Sequence, residues 1–141
     1  MSLLLLIDGY NIAQPIAPTR RPDPRWLERT RQSLLRDLSK YLATPVRQKT
    51  CVVFDATHPP KGRADRFTHD EISVRFAVGY PSADDLLEEI IREHPTPKRL
   101  MVVSSDHRIQ IAAKRRKSRH SDSEPWMDDL TDGKLRLAIR P

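Results

Sequence analysis

The chain has 141 residues, enough for one real hydrophobic core and too few for two, so a single domain over 1–141 is expected, with its core from about residue 3 to 131 and an extension over 132–141. Lysine and arginine number 25 against 19 acids, a formal net charge of +6, and the pI near 9.8 favours a polyanionic partner, nucleic acid first. One cysteine, Cys51, excludes a disulfide framework and a cysteine-cluster zinc site; the opening apolar run stops at Asp8 with no basic segment before it, which suits neither a signal nor a membrane span, and a cytoplasmic protein is expected.

The first strand is predicted over Leu3–Ile7, ending in Asp8-Gly9-Tyr10-Asn11, a turn where Gly9 permits an unusual backbone angle and close approach of a ligand. Gln14 to Pro24 carries four prolines with Arg20 and Arg21, a stiff basic loop beside that turn. From Arg25 to Leu42, Trp26, Leu27, Leu34, Leu35, Leu38, Tyr41 and Leu42 recur at helical spacing and predict an amphipathic crossover helix. Cys51-Val52-Val53-Phe54 is the second strand, closed by Asp55. Thr57 to His69, with Lys61, Arg63 and Arg66 and no hydrophobic period, predicts a basic loop.

Ile72 to Val78 alternates apolar and polar residues and predicts a third strand nearer a sheet edge. A helix over Ala83–Glu93 follows, with Ser82 as N-cap and acids in its first turn. Arg99–Ser104 is the fourth strand and His107–Arg115 a helix. The run Lys114-Arg115-Arg116-Lys117-Ser118-Arg119 comes next. A tail holds Trp126, and Leu135 to Ile139 fits either a late edge strand or an extension. Alternating strands and helices predict a three-layer α/β/α sandwich around a mostly parallel central sheet.

Three aspartates, Asp8, Asp55 and Asp106, stand at the ends of apolar runs. Ligands in open α/β sheets bind outside the strands' carboxyl ends, so these acids are expected to meet on one edge. At about 100° per residue, Leu86, Leu87, Ile90 and Ile91 mark the buried stripe of the 83–93 helix; Asp84 and Glu88 border it, whereas Asp85 falls opposite and reads, like Glu89, as a solvated acid. Gathered carboxylates repel one another unless a hard cation neutralises them. The expectation is a Mg²⁺ or Mn²⁺ site of Asp8, Asp84 and Asp106, supported by Asp55 or Glu88. For each acid alone, an N-cap role is the simpler explanation.

These residues resemble a family, the YacP-like branch of the NYN domain within the PIN-like nuclease superfamily. The resemblance rests on Leu5-Leu6-Ile7-Asp8-Gly9-Tyr10-Asn11-Ile12, Val52-Val53-Phe54-Asp55-Ala56, Phe76-Ala77 leading into Ser82-Ala83-Asp84-Asp85-Leu86-Leu87-Glu88, and Val102-Val103-Ser104-Ser105-Asp106. It implies a PIN-like (Rossmannoid) fold and a metal-dependent endoribonuclease acting in RNA turnover or at the ribosome. Asp8, Asp84 and Asp106 look like the acidic core, with Asn11 orienting the first turn or touching substrate. One departure is the basic sequence Arg115 to His120, where such domains commonly place a glycine-containing turn.

Single-stranded RNA would be gripped by Arg20, Arg21, Lys61, Arg63, Arg66 and the cluster Lys114, Arg115, Arg116, Lys117 and Arg119, which reach phosphates without reading sequence. Ser104, Ser105 or Asn11 is expected to hydrogen-bond a nearby carboxylate, water or phosphate. His107 reads as a first-turn helix residue, and Trp26 and Trp126 as packing anchors. The rival from another class is a non-catalytic RNA-binding or ribosome-docking module. A phosphatase of the haloacid dehalogenase type is disfavoured because no Asp-x-Asp follows the first strand.

Overall fold

The apolar runs become parallel strands buried on both faces. In the computed structural model, which describes residues 2–9, 24–55 and 65–135, β1 (Leu5–Asp8) lies between β2 (Thr50–Phe54) and β5 (Met101–Val103), parallel to both. β4 (Ile72–Phe76) runs parallel beside β2, β3 (Arg66–His69) closes that edge antiparallel, and β6 (Arg119–Ser121) closes the other, parallel to β5. The order β3-β4-β2-β1-β5-β6 makes a mixed, mostly parallel six-stranded sheet. Its topological switch point lies between β1 and β5, where chain progression reverses direction across the sheet.

Strand parity distributes the sheet's side chains between two cores. Leu5, Ile7, Val52, Phe54, Val74 and Val103 face one side, under α1 (Pro24–Tyr41), the single turn α2 (Thr44–Arg47) and α5 (Ser123–Thr131). Leu6, Cys51, Val53 and Val102 face the other, under α3 (Ala83–Glu93) and α4 (His107–Arg115). Each buried leucine, isoleucine or valine contributes about 1.5–3 kcal/mol relative to exposure. Trp126 is buried in the first core, as a packing anchor should be, and Leu135 packs against it. Cys51 is buried in the second core, which pushes its thiol up to about 11 and leaves it inert.

Several elements differ from the sequence prediction, the single turn α2 among them. Arg66–His69 is a strand, paired with β4 through the two-residue turn Asp70-Glu71, whose positive φ angles of 48° and 72° are those of a type I′ turn. That turn normally announces itself with Asn or Gly; here Arg47 and Gln48 hold it from outside, by Arg47 Nε donating to the Asp70 carbonyl and Gln48 Nε2 to the Glu71 carboxylate. β6 carries no apolar residue, so the run expected to be loop and helix end supplies an edge strand at Arg119. α5 was hidden because Pro125 falls within it and its stripe is thin, although Trp126 and Leu130 sit at i and i+4. The predicted prolyl loop before Pro24, the loop over 57–64 and the tail over 136–139 lie outside the described residues.

The basic run after α4 does turn as a glycine motif would. Ser118 N–H donates to the Ala113 carbonyl at 2.9 Å and Lys117 N–H to Lys114 at 3.0 Å, the paired bonds of a Schellman cap, with Lys117 in the left-handed position at φ 61°. A side chain there costs roughly 1–2 kcal/mol. Lys117→Gly should therefore stabilise the protein by roughly 0.5–1 kcal/mol, since glycine's added unfolded-state entropy offsets part of the relief, and raise Tm by about 2 °C in a thermal melt.

Candidate active site at the carboxyl edge

The residues that follow the parallel strands share one face by parity. Asp8 continues the Leu6 side of β1, and Ser104 continues the Val102 side of β5, so both project beneath α3 and α4. Asp8 is 9% exposed, and its Oδ2 accepts a 2.9 Å hydrogen bond from Ser104 Oγ. The same Oγ accepts from the Asp106 backbone N–H at 3.1 Å. One hydroxyl thus joins the acids on both sides of the switch point. Gln110 Nε2 fixes this turn further by donating to the Ser104 carbonyl and to Asp122, and Ser105 Oγ accepts from Ser123 N–H at the start of α5. Of the residues expected to bond a carboxylate, water or phosphate, Ser104 bonds a carboxylate, that of Asp8.

Gly9 matters for a different reason from the one its turn suggested. Its φ is not among the positive ones; instead a Cβ there would overlap the buried Phe54 ring from β2. The glycine lets β1 leave the sheet beside that ring with Asp8 held at the edge.

Asp106 is the N-cap of α4, its Oδ1 accepting from Arg108 N–H at 2.8 Å, so the capping explanation holds for this acid alongside any other role. Across from it, Asp84 on α3 is held above the usual carboxylate range, chiefly by burial and then by the negative charge of Asp106, with which it also shares a hydrogen bond. Asp84 and Asp106 are therefore a close carboxyl pair. Glu88, one turn along α3, is salt-bridged to Arg108 Nε. Asp55, half-buried, follows β2 on the same face and edge. Asn11 lies outside the described residues.

Sequence reasoning missed Arg108. Its guanidinium bonds Glu88, reaches Asp85 at 2.9 Å and stands 3.9 Å from Asp84, so one side chain gathers three acids of α3. Asp85, expected to be a solvated acid, is instead held below the usual range by Ser82 and then Arg108, which both donate to it. Glu89 likewise has a partner, the Tyr80 hydroxyl, whose bond to the carboxylate raises the tyrosine's pKa. No local pattern predicts the Arg108 pairs, because α3 and α4 meet only through the fold, whereas Ser82 and Asp85 are a local i, i+3 pair.

The donor set is all oxygen, and two of its carboxylates are close enough to disfavour joint ionisation, which suits a hard divalent cation. Among the described residues no three acids, histidines or cysteines already stand together in a metal-holding arrangement. His107 is an exposed first-turn residue of α4, as expected.

Among the described residues the predicted basic contacts fall in separate places. Arg20, Arg21, Lys61 and Arg63 lie outside the described residues. Arg66 is on β3, opposite Arg75 of β4. Lys114 and Lys117 border a cleft with His107 and His120, and Arg115 is exposed beside them. Arg116 donates to the Ile91 and His94 carbonyls, closing the end of α3. Arg119, paired with Met101, faces the first core's side.

A mostly parallel sandwich with acids collected beyond β1 and β5 is the architecture of the PIN-like class. The chain matches the YacP-like NYN domain over residues 5–133 and belongs to that family of PIN-like nucleases. Its fold is similar to the crystal structure of Rae1 (YacP) from Bacillus subtilis, with 24% identity, a TM-score of 0.66, and coverage of 94% of this chain and 75% of that one. The W164L mutant of the same protein gives 21% identity, a TM-score of 0.64, and coverage of 95% and 75%. No curated protein matches the chain. Among the described residues no helix is long and apolar enough to cross a membrane.

Two outcomes follow from this geometry. Gly9→Ala should cost about 1–3 kcal/mol in a denaturant melt, because the Phe54 ring has nowhere to move without disturbing the core. Asp84, raised in the folded state, binds more protons folded than unfolded between its ordinary and raised pKa, so its ionisation removes stability as pH climbs through that window. Asp84→Asn should melt higher than wild type at neutral pH, with the gain shrinking towards pH 3.5, below the ordinary aspartate value of about 3.9. A gain independent of pH would refute the assignment.

Proposed function

We propose that this chain is a divalent-cation-dependent ribonuclease that hydrolyses phosphodiester bonds within single-stranded RNA, in the cytoplasm, in RNA turnover or at the ribosome. The observation that supports the reading is the link at the switch point, where Ser104 Oγ bonds Asp8 and accepts from the Asp106 amide, with Asp84 beside Asp106. Asp8, Asp84 and Asp106 would hold Mg²⁺ or Mn²⁺, with Asp55 and Glu88 in support. Such a cation, when bound, supplies charge stabilisation to the phosphate and lowers the pKa of water.

The chain's own residues do the rest. Ser104 orients Asp8 by its hydrogen bond and, through the Asp106 amide, sets the distance between the two carboxylates. Arg108 keeps Glu88 and Asp85 drawn towards α4, leaving the Asp84 carboxyl towards Asp106. Asn11 would orient the first turn or touch substrate. Hydrolysis in line leaves a 5′-phosphate and a 3′-hydroxyl, with no protein nucleophile. Lys114, Arg115 and Lys117 beyond α4, with Arg66 on β3 and the residues Arg20, Arg21, Lys61 and Arg63, hold the RNA backbone. Arg116 and Arg119 contribute less, being committed to α3 and to the opposite face.

A non-catalytic RNA-binding module is the second reading, favoured by the way Arg108 already neutralises part of the acidic cluster. Cleavage of a 5′-labelled single-stranded RNA with Mn²⁺ or with EDTA separates the two. Internal fragments are expected from wild type only with Mn²⁺, and Asp8→Asn should slow their appearance about 100-fold or more, roughly 2.7 kcal/mol of barrier. Intact RNA that binds both proteins equally, with or without metal, would establish the second reading.

A further inference from the structure

β3 and β4 form an arginine pair that the fold does not need. Arg66 and Arg75 are direct cross-strand partners, and like charges so placed repel. Neither is ion-paired with an acid among the described residues, and the Arg75 Nε is buried without a hydrogen-bond partner. Both features cost stability, and threonine would suit either strand position better.

Register says where the pair points. Arg75 lies beside Val53, and Val53 beside Asp8, so Arg66, Arg75, Val53 and Asp8 form one row across four neighbouring strands. Val53 belongs to the second core, which sets the row on the α3 side. Both guanidinium charges act on Cys51 and on the Tyr80 hydroxyl, which lie on that side too. α3 packs over β1 and β2. On this face of β3 and β4, among the described residues, Arg66 and Thr68 are exposed and Ser73 and Arg75 half-buried.

We propose that this β3–β4 part of the sheet is a backbone-binding platform for single-stranded RNA, on which Arg66 and Arg75 together hold one phosphate flanking the cleavage point. It rests on the ribonuclease reading and deepens it, assigning Arg75 a role and giving the substrate a direction of approach along the sheet. Two guanidinium groups side by side offer a bridging phosphate planar, paired donors, and the anion relieves the repulsion between them. Arg75 stands two strand spacings from β1, about 10 Å, so the phosphate it holds is close to the acids without being the one they act on. Tyr80, half-buried at the border of the platform, offers a ring face to an adjacent base.

Binding of a fluorescent ten-nucleotide single-stranded RNA in EDTA, where no cleavage occurs, tests this across a salt series. Arg66→Thr is exposed and replaces a repelled residue with a strand former, so its melting temperature should equal or exceed that of wild type. Its affinity should fall roughly threefold to tenfold, with the salt slope shallower by about 0.7. Arg36→Ala, which removes an exposed charge from α1 on the opposite face, should leave both unchanged. Equal affinity and slope for Arg66→Thr and wild type, or equal losses for Arg66→Thr and Arg36→Ala, would overturn the platform. Wild-type cleavage with Mn²⁺ is scored separately, so a failed platform on an active nuclease is distinguishable from a chain that does not cleave RNA.

Discussion

The hydroxyl of Ser104 is the point on which the carboxyl edge depends. A parallel sheet delivers the ends of β1 and β5 side by side but leaves their last residues free to diverge into loops. By donating to Asp8 and accepting from the Asp106 amide, Ser104 closes that gap with one buried side chain. The geometry costs little because everything around it is over-determined: Gly9 lets β1 exit beside Phe54, Gln110 clamps the Ser104 carbonyl, and Ser105 caps α5. Packing fixes the strands, the strands fix the hydroxyl, and the hydroxyl relates two acids that lie 98 positions apart in the sequence.

The opposing helix adds charge that the fold must then manage. Asp84 is buried enough, and close enough to Asp106, to resist ionisation, whereas Asp85 is drawn the other way by Ser82 and Arg108. Two consecutive aspartates on one helix therefore have opposite electrostatic character. Burial and Asp106 act on the inner acid and Ser82 on the outer one, and Arg108 reinforces the division by bonding Asp85 and Glu88 while standing 3.9 Å from Asp84. Such half-exposed pairs add little to stability on their own. Their effect is positional: the outer carboxylates are occupied, and the inner one is left with an acidic neighbour and a standing preference for added positive charge.

How much of this the sequence revealed follows from the range of each signal. Apolar runs, helical stripes and the acids behind them are local, and they predicted β1, β2, β4, β5, α1, α3 and α4 with the three-layer arrangement. Glu88 and Asp85 were separated by helical angle, which gives a face but not the partner across it; Arg108 supplied that partner from another helix. β3 was hidden because its turn uses Asp70 and Glu71 in a conformation normally signalled by glycine or asparagine, and β6 because Arg119-His120-Ser121 has no hydrophobic residue. Arg75 was legible only as an alternating strand residue. Its alignment with Asp8 depends on register, which no single strand encodes.

Register also explains how a basic protein can carry an acidic edge. Across one row of the sheet the charge changes sign from Arg66 and Arg75 to Asp8 within a few strand widths, separated by the apolar Val53. Had the arginines occupied β2, they would have neutralised the acids as Arg108 partly does. Placed two strands away, beyond the helix that covers the centre, they remain available to a polyanion, while the acids remain available to a cation. On the proposed reading, a substrate that is itself a row of phosphates would satisfy the first group directly and the second only through a cation, and that asymmetry would separate cleaving RNA from merely binding it.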